Sequence, residues 1–329
     1  MDRTYNRDMT PTKVPAMKNN AYLVFGFLAL CWGMTFLFNK TASSLISPMQ
    51  VVTVRVIMGF LPVLAFAMVR KVLHWQHLRH MHHFIVMSLL AATVYYLAFA
   101  KGISLLPSSV AGMLSGVIPM FSFIAAAIFL RSEPVNIRSI IGLLFGFAGV
   151  LIIAKPWESG AFGIDLMGVV YVAIGSGCVG LSFVYVRKFL SPLGISPIAL
   201  CTYQLGISAV TLLLICDFSG MDAIFTNWKI ATGLFIGLGM FGTGIAYMCY
   251  YFLIGKLGAV KTAGVTYIPP VIGLLTGSLI LDEPVSATDI VATAMILSGV
   301  FIIQSGRTPP SSANTTSPNV RAHNLPERA

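Results

Sequence analysis

Ten times along this chain, eighteen or more residues pass with almost no charge, and nothing constrains its fold more. The stretches are 21–39, 48–69, 84–103, 109–130, 137–154, 166–186, 197–216, 230–254, 262–281 and 288–305. Each is long enough for a helix to cross the roughly 30 Å hydrocarbon layer of a bilayer, where every backbone polar group must be satisfied within the segment. With 57% hydrophobic residues and only 10% charged, against about 25% charged in soluble domains, the chain is expected to be an all-α polytopic membrane protein.

Its charges sort by loop. The two tails and the loops after even-numbered spans hold sixteen Lys and Arg, whereas the other loops hold four: Lys40, Lys101, Lys155 and Lys229. The remaining basic residue, Arg55, lies inside a span. Seven of the eleven acidic residues fall on the side poor in lysine and arginine. Short loops rich in Lys and Arg stay in the cytoplasm, so both termini are expected there. The net charge of +10 is then a topology signal, and no nucleic-acid partner is expected. The first span runs into Asn39 and Lys40 without a small-residue cleavage pattern and reads as a retained helix. All five cysteines lie within or at the end of a span, and none forms a CxxC pair.

A shift of 150 residues lays Glu133-Pro134-Val135 on Glu283-Pro284-Val285, Gly149-Val150 on Gly299-Val300, and Pro119 on Pro269. The chain therefore divides into a basic tail (1–20), a first repeat (21–154), a linker (155–165), a second repeat (166–305) and a Pro/Ser/Asn-rich tail (306–329). Five spans per repeat is an odd number, so the second repeat crosses in the opposite sense. Two inverted five-helix repeats are the arrangement of secondary transporters, whose site lies near the midplane between repeats.

Trp32-Gly33 early in the first span, Arg55 in the second, Leu105-Leu106-Pro107-Ser108-Ser109 entering the fourth and the doubled Glu-Pro make the chain resemble the EamA branch of the drug/metabolite transporter superfamily over about residues 21–305. That resemblance implies a bacterial inner-membrane carrier, often an exporter of amino acids or related metabolites. It also implies a central cavity formed largely by helices one, three, four, six, eight and nine. The second repeat departs from the pattern, with Gly258 where the first has Pro107.

The cavity candidates are Trp32, Thr35, Asn39, Tyr95, Tyr96, Phe99, Ser115, Ser182, Tyr185, Tyr247, Tyr251, Thr266 and Tyr267. Trp32, Thr35 and Asn39 share one helical face, as do Tyr247 and Tyr251. An apolar wall with a few polar groups suits a small amphipathic ligand, though tight packing uses the same residues. Arg55 either binds a substrate carboxylate or phosphate, or snorkels along its apolar stem to the interface; Gln204 stands at the aligned place in the second repeat. Pro119, Pro269 and Pro270, near the middle of the fourth and ninth spans, are expected to kink both helices as paired hinges.

Glu133 and Glu283, each before a proline, are expected to start helices five and ten. No carboxylate lies deep in a span, so facilitated diffusion or exchange fits as well as proton coupling. Five histidines in the loop 74–83 either bind metal or sense pH, or simply face headgroups, and no metal site is assigned to them. Gly142, Gly146 and Gly149 allow close helix approach, either within the bundle or against a second copy, so the chain reads as a monomer or a homodimer. No nucleophile–base pair, metal triad or phosphate loop is present, so neither a cofactor nor an enzyme activity is expected. The partners are the bilayer and a small molecule. The reading is a carrier exporting metabolites such as amino acids. The alternatives are an uptake or exchange carrier for a nucleoside- or nucleotide-derived metabolite and an integral-membrane enzyme.

Overall fold

The computed structural model describes residues 16–130, 136–154, 165–257, 262 and 264–305. These form ten helical spans: α1 (Ala16–Ser43), α2 (Pro48–Val69), α3 (81–105), α4 (Ser108–Phe129), α5 (Ile137–Ala154), α6 (166–190), α7 (Pro197–Ile215), α8 (228–257), α9 (Gly264–Ile280) and α10 (Ala287–Ser305). Among the described residues nine of them are long and apolar enough to cross a membrane, and α9 is slightly shorter. Leu144, Leu151, Leu214, Leu279 and Phe301 stand exposed on the outside of the bundle, as lipid contact requires. The fold is an all-helical polytopic bundle of two inverted five-helix repeats.

Helix starts are written locally. Asp165 accepts from the N–H groups of Met167 and Gly168 to open α6, and Asn227 from those of Lys229 and Ile230 to open α8. At α2 the Ser47 hydroxyl accepts from Gln50 N, and Gln50 Oε1 accepts from Ser47 N, a reciprocal capping box with Pro48 at the first turn. Gln50 also donates through Nε2 to the carbonyls of Asp217 (2.8 Å) and Ser219 (3.0 Å), tying α2 to the segment after α7. Gln50→Ala removes the box and both ties, and thermal unfolding in detergent is expected to show a loss of about 2 kcal/mol. A loss below about 0.5 kcal/mol, the size of an ordinary surface change, would mean the ties carry nothing.

Several helix pairs join the two repeats, and the α5–α10 and α4–α9 pairs are two of these seams. In the first, a Cβ added at Gly142 of α5 would lie 2.6 Å from the Gly299 carbonyl of α10, and one at Gly149 would lie 2.7 Å from that of Ala292. Adding 150 to 142 gives 292, and subtracting 150 from 299 gives 149, so the two contacts are repeat images of each other. The glycine face of α5 is thus occupied within the chain. In the second seam α4 crosses α9, and a Cβ at Gly112 would lie 3.0 Å from the Gly273 Cα.

The prolines do not kink continuous helices. Span α4 consists of Ser108–Ser115, a turn at Gly116-Val117, and Ile118–Phe129, with Pro119 in the first turn of the second piece. Span α9 opens as the 3₁₀ turn Gly264–Tyr267 and becomes α-helical at Ile268, which puts Pro269 and Pro270 in the first turn. A missing N–H costs nothing at that position, so each proline starts a segment after a break. The breaks adjoin: a Cβ at Gly116 would lie 3.5 Å from the Pro270 ring.

Span α8 departs from α-helical geometry over Gly233–Ile245, which is a π-helix. Its glycines take rings and side chains from neighbours, with Phe38 against Gly233 and Gly237, and Thr35 against Gly242. Shorter π turns interrupt α3 at Leu89–Thr93 and end α6 at Val186–Leu190.

Candidate functional site

The aromatic candidates form a near-continuous band inside the bundle. Trp32 of α1 lies 5.6 Å from Tyr250, Tyr250 lies 5.8 Å from Tyr251, and Tyr251 stacks 6.4 Å from Tyr247, all on α8. Tyr247 and Tyr251 pack in one cluster with Tyr96 of α3. Tyr95 lies 4.6 Å from Tyr96 and 5.0 Å from Phe99, and Phe99 lies 6.5 Å from Phe36, which brings the band back to α1. Phe36 and Tyr250 were not among the sequence candidates. Phe36 is one helical turn from Trp32, and that spacing was the available signal.

Arg55 does not snorkel. It is only 6% exposed, with its guanidinium carbon 3.9 Å from the Tyr96 ring centroid. Its Nε donates to Thr243 Oγ1 at 3.0 Å, and that hydroxyl donates in turn to the Leu238 carbonyl at 3.0 Å, an i−5 bond within the π-helix. A planar cation over an aromatic face and against one fixed acceptor is held in a single orientation. Gln204 of α7 is buried on the same face as Cys201 and Ser208, and Ser208 bonds Thr93 of α3 at 2.8 Å.

Most of the hydroxyl candidates are turned onto their own helices. Thr35 donates to the Trp32 carbonyl (2.6 Å), Ser115 to that of Gly112 (2.6 Å) and Ser182 to that of Val179 (2.7 Å). Asn39 accepts from Ser43, while its buried Nδ2 has no partner among the described residues. Thr266 and Tyr267 form the 3₁₀ turn at the α9 break, where Tyr267 packs against the core containing Met113 and Val117.

Tyr185 stands apart from the band. Its hydroxyl meets His83 Nδ1 at 2.8 Å, and its ring packs on Phe189 at the histidine-loop end. There His77 lies edge-on to Tyr203 and His83 stacks on Phe189; among the described residues no three metal-ligating side chains gather. A cavity of about 690 Å³ opens at this end between Trp75–His80 and Leu193–Ile195, away from the band.

At the opposite end the structure corrects the reading of Glu283. It does not start α10, which begins at Ala287 with its own Ser286–Asp289 cap. The chain turns at Asp282 (φ 52°) and delivers the Glu283 carboxylate to the start of α4 in the other repeat. Oε1 accepts from Ser108 N (2.6 Å), and Oε2 from Ser109 N (2.8 Å) and Ser108 Oγ (3.1 Å). Lys40, within the field of Glu283, donates to the carbonyls of Ile103 (3.1 Å), Ser104 (3.4 Å) and Leu106 (2.7 Å), where α3 ends. Two helix ends are thereby closed by charges of the favourable sign. Glu133, the repeat counterpart, lies outside the described residues.

Comparison with known proteins agrees with this architecture. The EamA-like transporter family matches the chain twice, over residues 19–155 and 166–305. The chain is 23% identical over 282 residues to an uncharacterized transporter of Archaeoglobus fulgidus, covering 86% of this chain and 98% of that one. It is 27% identical to the uncharacterized transporter YvbV of Bacillus subtilis, covering 87% and 92%, and 22% identical to the uncharacterized inner membrane transporter YedA of Escherichia coli, covering 85% and 89%. A chain of known crystal structure, 20% identical, shares the fold with a TM-score of 0.59 over 90% of this chain and 99% of its own. Two family matches that together span the bundle make this chain a member of the EamA-like transporter family, a membrane transporter and not an enzyme.

Proposed function

We propose that the protein exports small metabolites, amino acids or their close relatives, across a bacterial inner membrane by alternating access, with both termini in the cytoplasm. The observation that carries the reading is the meeting of the two helix breaks, Gly116 of one repeat against Pro270 of the other, beside the aromatic band. Broken helices between inverted repeats are where carriers bind substrate and bend. The sixteen-to-four division of lysines and arginines supports the orientation, and the relationship to the inner membrane transporter YedA supports the location.

Arg55 is the sole charged side chain buried among the described residues, so no buried carboxylate there carries a proton or sodium ion. Facilitated diffusion or exchange fits that interior. A phosphate-rich substrate would meet a single buried cation, which favours amino acids over nucleotide derivatives.

The test is uptake of a panel of radiolabelled amino acids by proteoliposomes, with and without a pH gradient. Saturable movement of at least one is expected, and no movement under any gradient would end the amino-acid reading. Replacing Pro269 and Pro270 together by alanine lets the α9 helix run through its break. Turnover is expected to fall by roughly tenfold, about 1.4 kcal/mol in the rate-limiting step, with membrane insertion unchanged. Unaltered turnover would exclude the break as a hinge.

A further inference from the structure

The guanidinium of Arg55 is oriented on one side only. Nε is fixed by Thr243 and the flat face by Tyr96, while the two terminal amino groups donate to no described residue and no carboxylate touches the side chain. Membrane proteins do not normally leave a buried cation unmatched, because removing it from water is repaid only by an opposite charge or by full hydrogen bonding. Gln204 repeats the pattern. It is 4% exposed, and its amide makes no hydrogen bond among the described residues. Val52 and Val56, which flank Arg55, pack in the same cluster as Cys201 and Leu205, which flank Gln204, and Tyr96 lies in that cluster too. Two largely buried polar side chains therefore lie at one seam between α2 and α7, with the Arg55 guanidinium on the Tyr96 ring of α3.

We propose that Arg55 and Gln204 form the anion-binding pole of the substrate site, and that it takes a single carboxylate while the tyrosine band takes the apolar remainder of the ligand. The proposal rests on the reading of the bundle interior as the substrate path. A guanidinium edge matches the two oxygens of a carboxylate. One guanidinium pairs with one carboxylate, whereas a phosphate ester carries a second negative charge that no other buried cation among the described residues meets. The nearby Thr93 and Ser208 hydroxyls are already bonded to each other, and Thr243 is committed to Arg55 and Leu238. The guanidinium edge and the Gln204 amide are the donors left at this seam between α2 and α7.

Binding is measured on the purified full chain, separately from transport, by thermal shift and ligand competition. Three probes of one shape are used: 3-phenylpropionate, its neutral amide, and phenethylamine. The wild type is expected to bind the acid at least tenfold more tightly than either of the others. Arg55→Gln should abolish that preference, Arg55→Lys should restore part of it, and Gln204→Leu should weaken the acid alone. Equal binding of acid and amide by the wild type would overturn the proposal, whatever the variants do. Should Arg55→Gln fail to fold, Thr243→Val and Gln204→Leu carry the test; an unchanged acid preference in both would also overturn it. Amino-acid transport with an acid preference indifferent to Arg55 would leave the transport reading standing and remove the anion pole. Arg55-dependent acid binding without amino-acid transport would do the reverse.

Discussion

Gly142→Leu is expected to prevent a stable fold, at a cost above about 3 kcal/mol, the upper range of core overpacking. The position gives the new side chain nowhere to go. Its first atom would fall 2.6 Å from the Gly299 carbonyl and 3.0 Å from the Ile303 nitrogen, both backbone atoms of α10 that cannot rotate aside. Gly299→Leu should fail in the same way, since a Cβ there would lie 2.7 Å from the Gly146 nitrogen. Gly26→Leu is the control, because nothing lies within 4 Å of a Cβ on that exposed face of α1. Size-exclusion profiles and thermal unfolding in detergent should place Gly26→Leu beside the wild type and the other two among aggregates. If Gly142→Leu folded as well as the control, α5 and α10 would not pack as described, and the glycine face would be free for a second copy of the chain.

Replacing Glu283 by alanine is expected to cost about 3 kcal/mol, the scale of removing a charged group that holds several hydrogen bonds. The carboxylate serves three donors at the start of α4, so its loss leaves Ser108 N and Ser109 N without their acceptor. The site is only half-buried, and water recovers part of the loss. Glu283→Gln keeps an acceptor oxygen but loses the charge, and it should fall between alanine and the wild type. Lys40→Met tests the other half of the cluster by withdrawing a donor from three carbonyls at the end of α3. A cysteine placed at Ser109 should react faster with a maleimide in the Glu283→Ala background, because the carboxylate that covers it is gone. Equal stability of the glutamine variant and the wild type would show that the charge contributes nothing.

What the sequence reveals here depends on the range of each interaction. Spans are legible because lipid demands apolar side chains over every turn, a signal summed over about twenty residues. The repeat is legible because Glu-Pro, Gly-Val and a mid-span proline recur at one offset. The partner of Glu283 is not, since Ser108 lies 175 residues away and a glutamate before a proline reads equally well as a helix start. The separation of Tyr185 from the band is not legible, because a mostly apolar helix such as α6 offers little periodicity to say which face turns inward. The wide turns of α8 were also invisible. Glycines permit a π-helix, but what they accommodate there, from Phe38 to Thr35, comes from another span. That Pro119, Pro269 and Pro270 each fall in the first turn of a segment is not legible either, because a proline that bends a helix and one that begins the next segment look identical in sequence.

The seam between α5 and α10 has a property no other described contact shares so plainly. Its two close approaches, Gly142 to Gly299 and Gly149 to Ala292, exchange places when the repeats are swapped, so the seam maps onto itself. In a carrier that changes sides by letting each repeat adopt the other's conformation, most contacts between repeats, the Glu283 cap among them, must break and re-form elsewhere. A contact lying on the pseudo-two-fold axis is already the same in both states. In such a carrier the α5–α10 pair can stay locked as a fixed stator, and the glycines that make it so tight supply rigidity while the remaining helices move.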